Sequence, residues 1–163
     1  MFYVTGLQNA HAMETQAIQL LTRQVERLEN YPELEARMRE HLEESKSQRA
    51  RLEEVLHGLE ENYSALKEAA LVIGGNFAAL AHVAASDEIL KNTLANYMFE
   101  HFEIAAYKSL IAMSEHLGDA AGAAAAEISL REEERMAAWI DERIGSTTLT
   151  FLQRVEAGET ADH

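Results

Sequence analysis

Apolar residues recur at every third or fourth position through most of this chain, and that spacing predicts four long helices. The first is predicted over residues 3–29, with an apolar stripe that comprises Leu7, Ala10, Ala17, Ile18, Leu21, Val25 and Leu28. The second covers 33–59 and follows a break at Asn30-Tyr31-Pro32, because the residue before a proline avoids the helical conformation. The third begins at Ser86-Asp87-Glu88, where a capping side chain precedes acidic residues, and ends near residue 117. The fourth covers 120–144 and is expected to end at Gly145-Ser146.

The lengths of the connections indicate how these helices are arranged. Only a few residues separate the first helix from the second and the third from the fourth, so each pair is predicted to form an antiparallel hairpin. Residues 60–86 join the hairpins and are apolar on both sides of Gly74-Gly75-Asn76, which favours two short helices packed on the core over a disordered linker. The predicted fold is an all-α, ferritin-like four-helix bundle with a long crossover, formed by residues 1–145. Residues 146–163 are predicted to be a C-terminal tail whose one apolar stripe would suit a short helix.

Composition and charge narrow the class of protein. The chain has 163 residues, of which 47% are hydrophobic, with one proline and no cysteine. The lack of cysteine excludes a disulfide framework, an iron–sulfur cluster and a thiol nucleophile within this chain. A formal net charge of −14 would repel nucleic acid and acidic membrane surfaces, and no apolar run reaches the ~18 residues of a membrane span. We therefore expect a soluble, cytoplasmic single domain that binds neither nucleic acid nor membranes.

One glutamate on each predicted helix lies where the pattern calls for an apolar residue. These residues are Glu14, Glu44, Glu103 and Glu133, of which Glu44 lies at the edge of its stripe. In the acidic run 132–134, only the middle glutamate is expected to point inward. A buried carboxylate costs several kcal/mol unless it is paired or neutralised. Four converging carboxylates therefore predict a shared cation, and two metal ions are the usual occupants of such a bundle.

The distances of these glutamates from the turns support one common layer. Glu103 lies fourteen residues before residue 117, and Glu133 lies fourteen residues after residue 119. Antiparallel packing through the intervening turn would place both side chains at the same height along the bundle. Glu14 and Glu44 lie at comparable distances from the break at 30–32. The sequence therefore predicts a single layer of acids across all four helices.

Two more side chains extend the predicted ligand set. His41 precedes Glu44 by three positions, and Glu100 lies one turn before the glutamate of the third helix. The Glu-x-x-His signature of di-metal bundles is absent, and its order is reversed in His41-x-x-Glu44 and His11-x-x-Glu14. Carboxylates together with imidazole favour Fe, Mn or Zn over Ca²⁺ or Cu(I). Taken singly, each glutamate could equally lie at a helix edge and reach water, and His41 could be an ordinary core histidine.

Four sequence blocks point to a known family. They are His41-Leu42-Glu43-Glu44-Ser45, Glu100-His101-Phe102-Glu103-Ile104-Ala105-Ala106-Tyr107, Glu115-His116-Leu117-Gly118 and Glu132-Glu133-Glu134. Over residues 3–145 the chain resembles the YciE/YciF-type ferritin-like bacterial proteins. The resemblance implies a ferritin-like bundle, usually dimeric, that is associated with stress responses and has no assigned reaction. It also implies that the metal-site acids of the family correspond to Glu14, Glu44, Glu103 and Glu133.

The first functional hypothesis is a di-metal carboxylate protein that reacts with O₂ or peroxide. It predicts two Fe or Mn ions, with Zn as another candidate, because the chain contains no cysteine that could carry redox chemistry. In this hypothesis Glu44 and Glu133 bridge the ions, Glu14 and Glu103 are terminal ligands, His41 and Glu100 complete the shell, and Gln48 and Tyr107 lie behind it. Oxidation of Fe(II) or consumption of peroxide is the expected activity.

The alternative is a non-catalytic helical stress or assembly protein with a vestigial or empty metal site. Its buried acids would be protonated, paired with Arg37 and Arg51, or solvated. In either case we expect a homodimer, and Trp139, which lies off the core stripe of the fourth helix, is a candidate contact.

Overall fold

The computed structural model describes residues 2–59 and 86–162, which form four α-helices and contain no β-strand. The helices are α1 (Phe2–Val25), α2 (Pro32–Gly58), α3 (Glu88–Leu117) and α4 (Ala120–Glu156). The predicted all-α four-helix bundle is therefore confirmed. The two short helices predicted in the crossover lie outside the described residues. Within the described ranges, no helix combines the length and the apolar character that a bilayer span requires.

Each helix pair is joined by a turn whose chemistry is visible in the sequence. Pro32 occupies the first turn of α2, where its missing N–H is not needed. Gly118 ends α3 in the left-handed conformation with φ of 73°, which a glycine adopts without steric cost. The Asp119 side chain then accepts a hydrogen bond from the Gly122 N–H at the start of α4. The Tyr3 hydroxyl donates to Asp119 at 2.7 Å and so ties this turn to α1.

All neighbouring helices run antiparallel. Arg27 at the end of α1 pairs with Glu88 at the start of α3 at 2.7 Å, whereas Tyr3 reaches the α3–α4 turn. Glu33 at the start of α2 pairs with Arg143, far along α4, at 2.8 Å. The diagonal helices α2 and α3 are therefore parallel. As a consequence, Gly58 and Glu88 lie at opposite ends of the bundle, as a long crossover requires.

The apolar core is divided into two clusters with a polar layer between them. The first cluster contains Leu7, Met13, Leu52, Leu56, Phe99, Tyr107 and Leu110. The second contains Leu21, Val25, Met38, Ile89, Met136, Ile140 and Phe151. On α4, Glu133 lies between the residues that the helix contributes to the two clusters. On α1, Glu14 lies between Met13 and Ala17 of the first cluster, and Leu21 of the second cluster follows one turn after Ala17. The predicted acids are therefore enclosed by apolar side chains toward both ends of the bundle.

The predicted end of the fourth helix is wrong. The helix continues through Gly145-Ser146 to Glu156, and the left-handed glycine that follows it is Gly158, with φ of 72°. Phe151 on this extension is buried in the second core cluster, together with Tyr31 and Ala161. The packing of that aromatic ring outweighs the weak helix-breaking tendency of a single glycine.

Candidate metal centre

All four helices contribute side chains to the polar layer. Its members are Glu14 from α1, His41 and Glu44 from α2, Glu100 and Glu103 from α3, and Glu133 from α4. Glu14 and Glu133 have no solvent exposure, and the other residues apart from Glu44 are at most 3% exposed. Glu44 is only half-buried, with a side chain that is 19% exposed. The structure thus gathers the predicted residues in one place but leaves Glu44 at its solvent edge.

Four of these side chains form a compact group at the centre of the layer. His41, Glu100, Glu103 and Glu133 each offer one ligand atom, and these atoms all lie within 4.8 Å of one another. The Nε2 atom of His41 lies 3.2 Å from Glu100 and 3.5 Å from Glu133. One imidazole and three carboxylates in such a small volume could coordinate a common cation.

Glu14 lies beside this group and is held by a tyrosine. The Tyr107 hydroxyl donates to Glu14 Oε1 at 2.5 Å. Burial raises the pKa of Glu14 to about 8, although the hydrogen bond from Tyr107 opposes the shift. Burial, reinforced by the neighbouring Glu14 charge, raises the pKa of Tyr107 well above its usual value. The pair can therefore hold a proton at neutral pH in the interior of the bundle.

Glu44 is oriented by partners outside the compact group. It lies 2.9 Å from His41 Nδ1 and accepts a hydrogen bond from Arg37 at 3.1 Å. Burial alone would raise the pKa of Glu44, but the His41 hydrogen bond and the Arg37 charge outweigh it and lower that pKa. When His41 is neutral, an ionised Glu44 favours the tautomer that carries the proton on Nδ1. The lone pair on Nε2 is then available on the side of the other acids. In this geometry Glu44 orients His41 and does not join the four central residues.

A second polar contact connects the centre to the surface between α2 and α4. The amide of Gln48, which is fully buried, donates to Glu133 and also to Glu132, the latter at 3.1 Å. Glu132 is in turn bound by Arg51, which also contacts Ser129. Glu134 is exposed, as predicted, whereas Glu132, which was also expected on the outward side, is largely covered. Its side chain is 14% exposed because the guanidinium of Arg51 covers it.

Burial also favours the protonated forms of Glu103 and Glu133. Burial raises the pKa of Glu103 well above its usual value, and the charges of Glu133 and Glu14 add to the shift. Burial also raises the pKa of Glu133, with a further contribution from Glu100. Burial alone would lower the pKa of His41. The adjacent carboxylates, among which Glu100 contributes most, outweigh the effect of burial and raise the pKa of His41. Protons on Glu14, Glu103 and Glu133 therefore reduce the negative charge of the layer.

Several polar atoms in the layer make no hydrogen bond of good geometry among the described residues, although two of them, His41 Nε2 and Glu100 Oε2, lie 3.2 Å apart. They are Glu14 Oε2, His41 Nε2, Gln48 Oε1, Glu100 Oε2, Glu103 Oε1 and Glu133 Oε2. A buried polar atom without a partner destabilises a fold by about 1–3 kcal/mol. Five of the six belong to carboxylates or to an imidazole, the donor types that Fe, Mn and Zn bind. The residues present therefore fit a metal centre.

Comparison with known proteins identifies the family of this chain. A family described as "Domain of unknown function (DUF892)" matches residues 1–153. The chain belongs to this family. The E. coli stress protein YciF is among the solved structures that this chain matches, so the resemblance to YciE/YciF-type proteins is confirmed.

Solved structures share the fold of this DUF892 chain along most of its length. A protein from Xanthomonas campestris pv. campestris str. ATCC 33913 is 30% identical, with a TM-score of 0.79, over 94% of this chain and 96% of its own. YcfI from Rhodopseudomonas palustris is 24% identical, with a TM-score of 0.67, over 86% and 90% of the two chains. The E. coli stress protein YciF is 20% identical, with a TM-score of 0.69, over 88% and 92%.

Two other histidines of the DUF892 chain lie apart from the compact group. His101 is exposed and packs edge-on against Tyr97, with the ring centroids 4.6 Å apart. His11, which precedes Glu14 by three residues, instead lies 2.9 Å from Glu53 on α2. In α2 the His-x-x-Glu spacing brings His41 into contact with Glu44. In α1 the same spacing does not pair His11 with Glu14, because the two side chains have different partners.

Proposed function

We propose that this protein is a carboxylate-bridged di-metal protein that holds two Fe or Mn ions and either oxidises Fe(II) or consumes peroxide in a bacterial stress response. The observation that carries the proposal is the set of buried ligand atoms without partners, which four different helices direct into one layer. A chance arrangement of 28 acidic residues would leave most of them at the surface.

The charge of the layer supports two divalent ions. Five carboxylates, those of Glu14, Glu44, Glu100, Glu103 and Glu133, would carry five negative charges when ionised. Two divalent cations neutralise four of these charges, and the remaining one is opposed by Arg37 beside Glu44. Zinc suits the same donors, but it lacks the redox chemistry that oxidation of Fe(II) or reduction of peroxide requires.

The geometry of the compact group favours ligand roles that differ from those expected from the sequence. His41, Glu100, Glu103 and Glu133 are proposed as direct ligands, and Glu14 as a further ligand through its unpartnered Oε2 atom. Glu44 is proposed to orient His41 in place of its predicted role as a bridge, because Arg37 and the His41 ring already engage its carboxylate.

The surrounding residues of the chain would serve the reaction in three ways. Bound iron or manganese would supply the one-electron chemistry that the side chains here lack. Tyr107 and Glu14 would hold or deliver a proton inside the bundle, since their hydrogen bond lies within the site. The apolar clusters on either side would exclude bulk water, and Gln48 would fix the Glu133 carboxylate.

A non-catalytic stress or assembly protein is the second candidate. The raised pKa values of Glu14, Glu103 and Glu133 favour it, because protonation lets these acids remain buried without any metal. Of the two arginines considered for this alternative, Arg37 pairs with Glu44, one of the four acids, whereas Arg51 pairs with Glu132, which is not one of them. Compensation in such a protein would therefore come from protons, His41 and Arg37.

Oxidation of added Fe(II) in the presence of O₂ or peroxide separates the two candidates. The wild-type protein is expected to consume Fe(II) faster than buffer, and a Glu103→Gln/Glu133→Gln variant is expected to lose that excess rate. A Glu127→Gln/Glu134→Gln variant is the matched control, because it removes two charges from exposed positions and should retain the full rate. Equal rates for the wild type and the buried-site variant would leave only the non-catalytic candidate.

A further inference from the structure

A row of polar side chains leads from the surface toward the compact group along the seam between α2 and α4. Its outermost member is Arg51, with a side chain that is 21% exposed, and Arg51 binds Glu132, which is 14% exposed. Gln48 comes next, is fully buried and donates hydrogen bonds to Glu132 at 3.1 Å and to Glu133. Glu133 is a member of the compact group. Three contacts thus connect a side chain that reaches solvent with a proposed metal ligand.

The side-chain amide of Gln48 has an oxygen atom that the proposed ligand set does not use. Its Nε2 atom donates to the carboxylates of Glu132 and Glu133, and these two acceptors fix the orientation of the amide. A flipped amide would place its oxygen against two anionic groups. The Oε1 atom is buried and has no hydrogen-bond partner among the described residues. Amide and carboxylate oxygens are both ligands for divalent cations, so Gln48 and Glu132 together offer a cation site outside the compact group.

Arg51 covers the outer side of this pair of residues. Its guanidinium binds the Glu132 carboxylate and also lies 3.2 Å from the Ser129 hydroxyl, so that a side chain of α2 contacts two residues of α4. A guanidinium and a divalent cation compete for a carboxylate, because the negative charge of the carboxylate attracts both. Glu132 is therefore occupied by Arg51 in this conformation, and a cation can bind Glu132 only when Arg51 has moved.

A cavity beside Arg51 has room for the guanidinium once it leaves Glu132. The cavity has a volume of about 280 Å³, and its lining includes Arg51, Glu54, Ala121 and Ala125. Glu54 lies three residues after Arg51 on α2, a spacing at which oppositely charged side chains pair. Ala121 and Ala125 on α4 have small side chains, which leave space between the two helices. Rotation of the Arg51 side chain alone would therefore exchange Glu132 for Glu54.

A second acid near the surface, Glu44, is less suited to the entry of a cation. Two arginines lie beside its carboxylate, Arg37 at 3.1 Å and Arg135 at 3.6 Å, and their charges oppose the approach of a cation. On its inward side Glu44 meets the Nδ1 atom of His41 at 2.9 Å, so a cation that entered there would have to pass the imidazole ring. The row through Gln48 contains no ring between the surface and the compact group.

We propose that Glu132 and Gln48 form an entry site for the divalent ions of the compact group, and that Arg51 is its gate. The inference rests on the proposed function, because it concerns the route by which ions reach that centre. Glu132 attracts the cation when Arg51 turns toward Glu54, Gln48 Oε1 offers the next oxygen ligand, and Glu133 receives the cation inside the layer. Glu132 and Arg51 are not ligands in the loaded protein. They therefore control the rate of loading and not the affinity.

The rate of Zn²⁺ uptake tests the entry site, because zinc is redox-inert and its binding requires no reaction. Stopped-flow mixing of the metal-free protein with Zn²⁺ and a fluorescent zinc indicator gives the rate constant of uptake, and excess chelator gives that of release. Glu132→Gln keeps the shape of the side chain but removes its charge, and we expect it to slow uptake by about tenfold or more. Release should slow by the same factor, because Glu132 lies on the path in both directions. The dissociation constant should stay within about threefold of the wild-type value, since the lost charge is outside the ligand set.

Arg51→Gln should have the opposite effect and make uptake and release severalfold faster, because it removes the cation that competes for Glu132. Glu134→Gln and Arg131→Gln are the matched controls, since they make the same two charge changes on exposed side chains of α4. Each control should change the rates by less than about twofold, because solvent and salt screen exposed charges. Circular dichroism of each variant checks that the helices remain folded.

Failure of the entry site is distinguishable from failure of the metal centre. A wild-type protein that takes up no Zn²⁺ would overturn both. If the wild type binds Zn²⁺ but Glu132→Gln and Glu134→Gln take it up at the same rate, the metal centre stands and the entry site is wrong. Slower uptake with unchanged release would also overturn the entry site, since Glu132 would then contribute to the affinity as a ligand. An Arg51→Gln variant that is no faster than Arg131→Gln would exclude the gate.

Discussion

At the scale of single residues, the proposed metal centre depends most directly on Glu133. Its carboxylate is fully buried, lies 3.5 Å from His41 Nε2 and accepts a hydrogen bond from Gln48, while its Oε2 atom has no hydrogen-bond partner in the described part of the chain. The next residue, Glu134, has the same chemistry but lies at the surface beside Lys108. Substitutions of these two adjacent glutamates can therefore separate the effect of site geometry from that of overall charge.

We expect Glu133→Gln to weaken binding of Zn²⁺, used here as a redox-inert probe, by more than about 100-fold, the upper end of the effect of losing an outer-shell partner. The amide keeps the shape of the side chain but removes the anionic donor. Glu134→Gln should change the affinity by less than about twofold, because an exposed charge acts through screened solvent. Isothermal titration calorimetry measures both. Similar losses in the two variants would show that only general charge matters.

Tyr107 is expected to act through Glu14. Tyr107→Phe removes the hydroxyl that holds Glu14 Oε1 and should lower the Zn²⁺ affinity by about 10–100-fold, as is typical for a residue that orients a ligand. Tyr97→Phe is the control, because it removes a hydroxyl from the same helix outside the metal layer. Equal affinities in the wild type and Tyr107→Phe would remove Glu14 from the proposed ligand set.

Helical periodicity locates most residues of the layer but not their partners. Glu14, Glu103 and Glu133 occupy core positions in the sequence pattern, and the structure buries all three. Spacing along the helix left open whether Glu44 would bridge metal ions or pair with Arg37, because the outcome depends on the direction of the Arg37 side chain two turns earlier on α2. The same is true of Glu132, whose burial depends on Arg51 from another helix. Spacing along one helix carries no information about such contacts between side chains.

At the scale of the helices, the sequence predicts where they begin better than where α4 ends. The starts of α2 and α4 follow from Pro32 and Asp119, which act on the first helical turn alone. The end of α4 depends on Phe151, whose contacts with distant residues such as Tyr31 favour continuation through Gly145. Signals confined to one turn are readable from sequence, whereas tertiary packing that overrides them is not.

Gly145 gives a direct test of the continuous α4 helix. Gly145→Ala should stabilise the protein by about 0.5–1 kcal/mol, because a Cβ there would meet no atom within 4 Å and alanine is the better helix former. The melting temperature should rise by about 1–4 °C. Gly118→Ala is the contrasting variant and should lower it, since φ at Gly118 is +73°. A lower melting temperature for Gly145→Ala would mean that the helix does break there.

At the scale of the whole molecule, stability and metal content are linked through protons. Glu14, Glu103 and Glu133 have raised pKa values in the folded, metal-free protein, and the ordinary value is 4.5. Between pH 4.5 and the raised pKa values, the folded state therefore binds more protons than the unfolded state. His41 acts in the same direction above its ordinary value of 6.5. Glu44, with a lowered pKa, contributes oppositely, but only below about pH 4.5.

The free energy of unfolding of the metal-free protein is therefore expected to fall as the pH rises from about 4.5 to about 8, the pKa of Glu14. Metal should reverse this trend, because protons compete with the ion for the same ligands and stability is then lost in acid. Urea unfolding at several pH values, with and without a chelator, measures both slopes. A Glu14→Gln/Glu133→Gln variant should lose most of the metal-free slope. An unchanged slope in that variant would assign the pH dependence to other groups.

The measurement that tests the metal centre most directly is elemental analysis of the protein purified without added metal or chelating resin. About two Fe or Mn per wild-type chain are expected, with the full content retained in Glu134→Gln and lost in Glu103→Gln/Glu133→Gln. Absence of metal from the wild-type protein, together with no uptake of added Fe(II) or Mn(II), would contradict the metal centre and leave a helical bundle whose buried acids are compensated by protons.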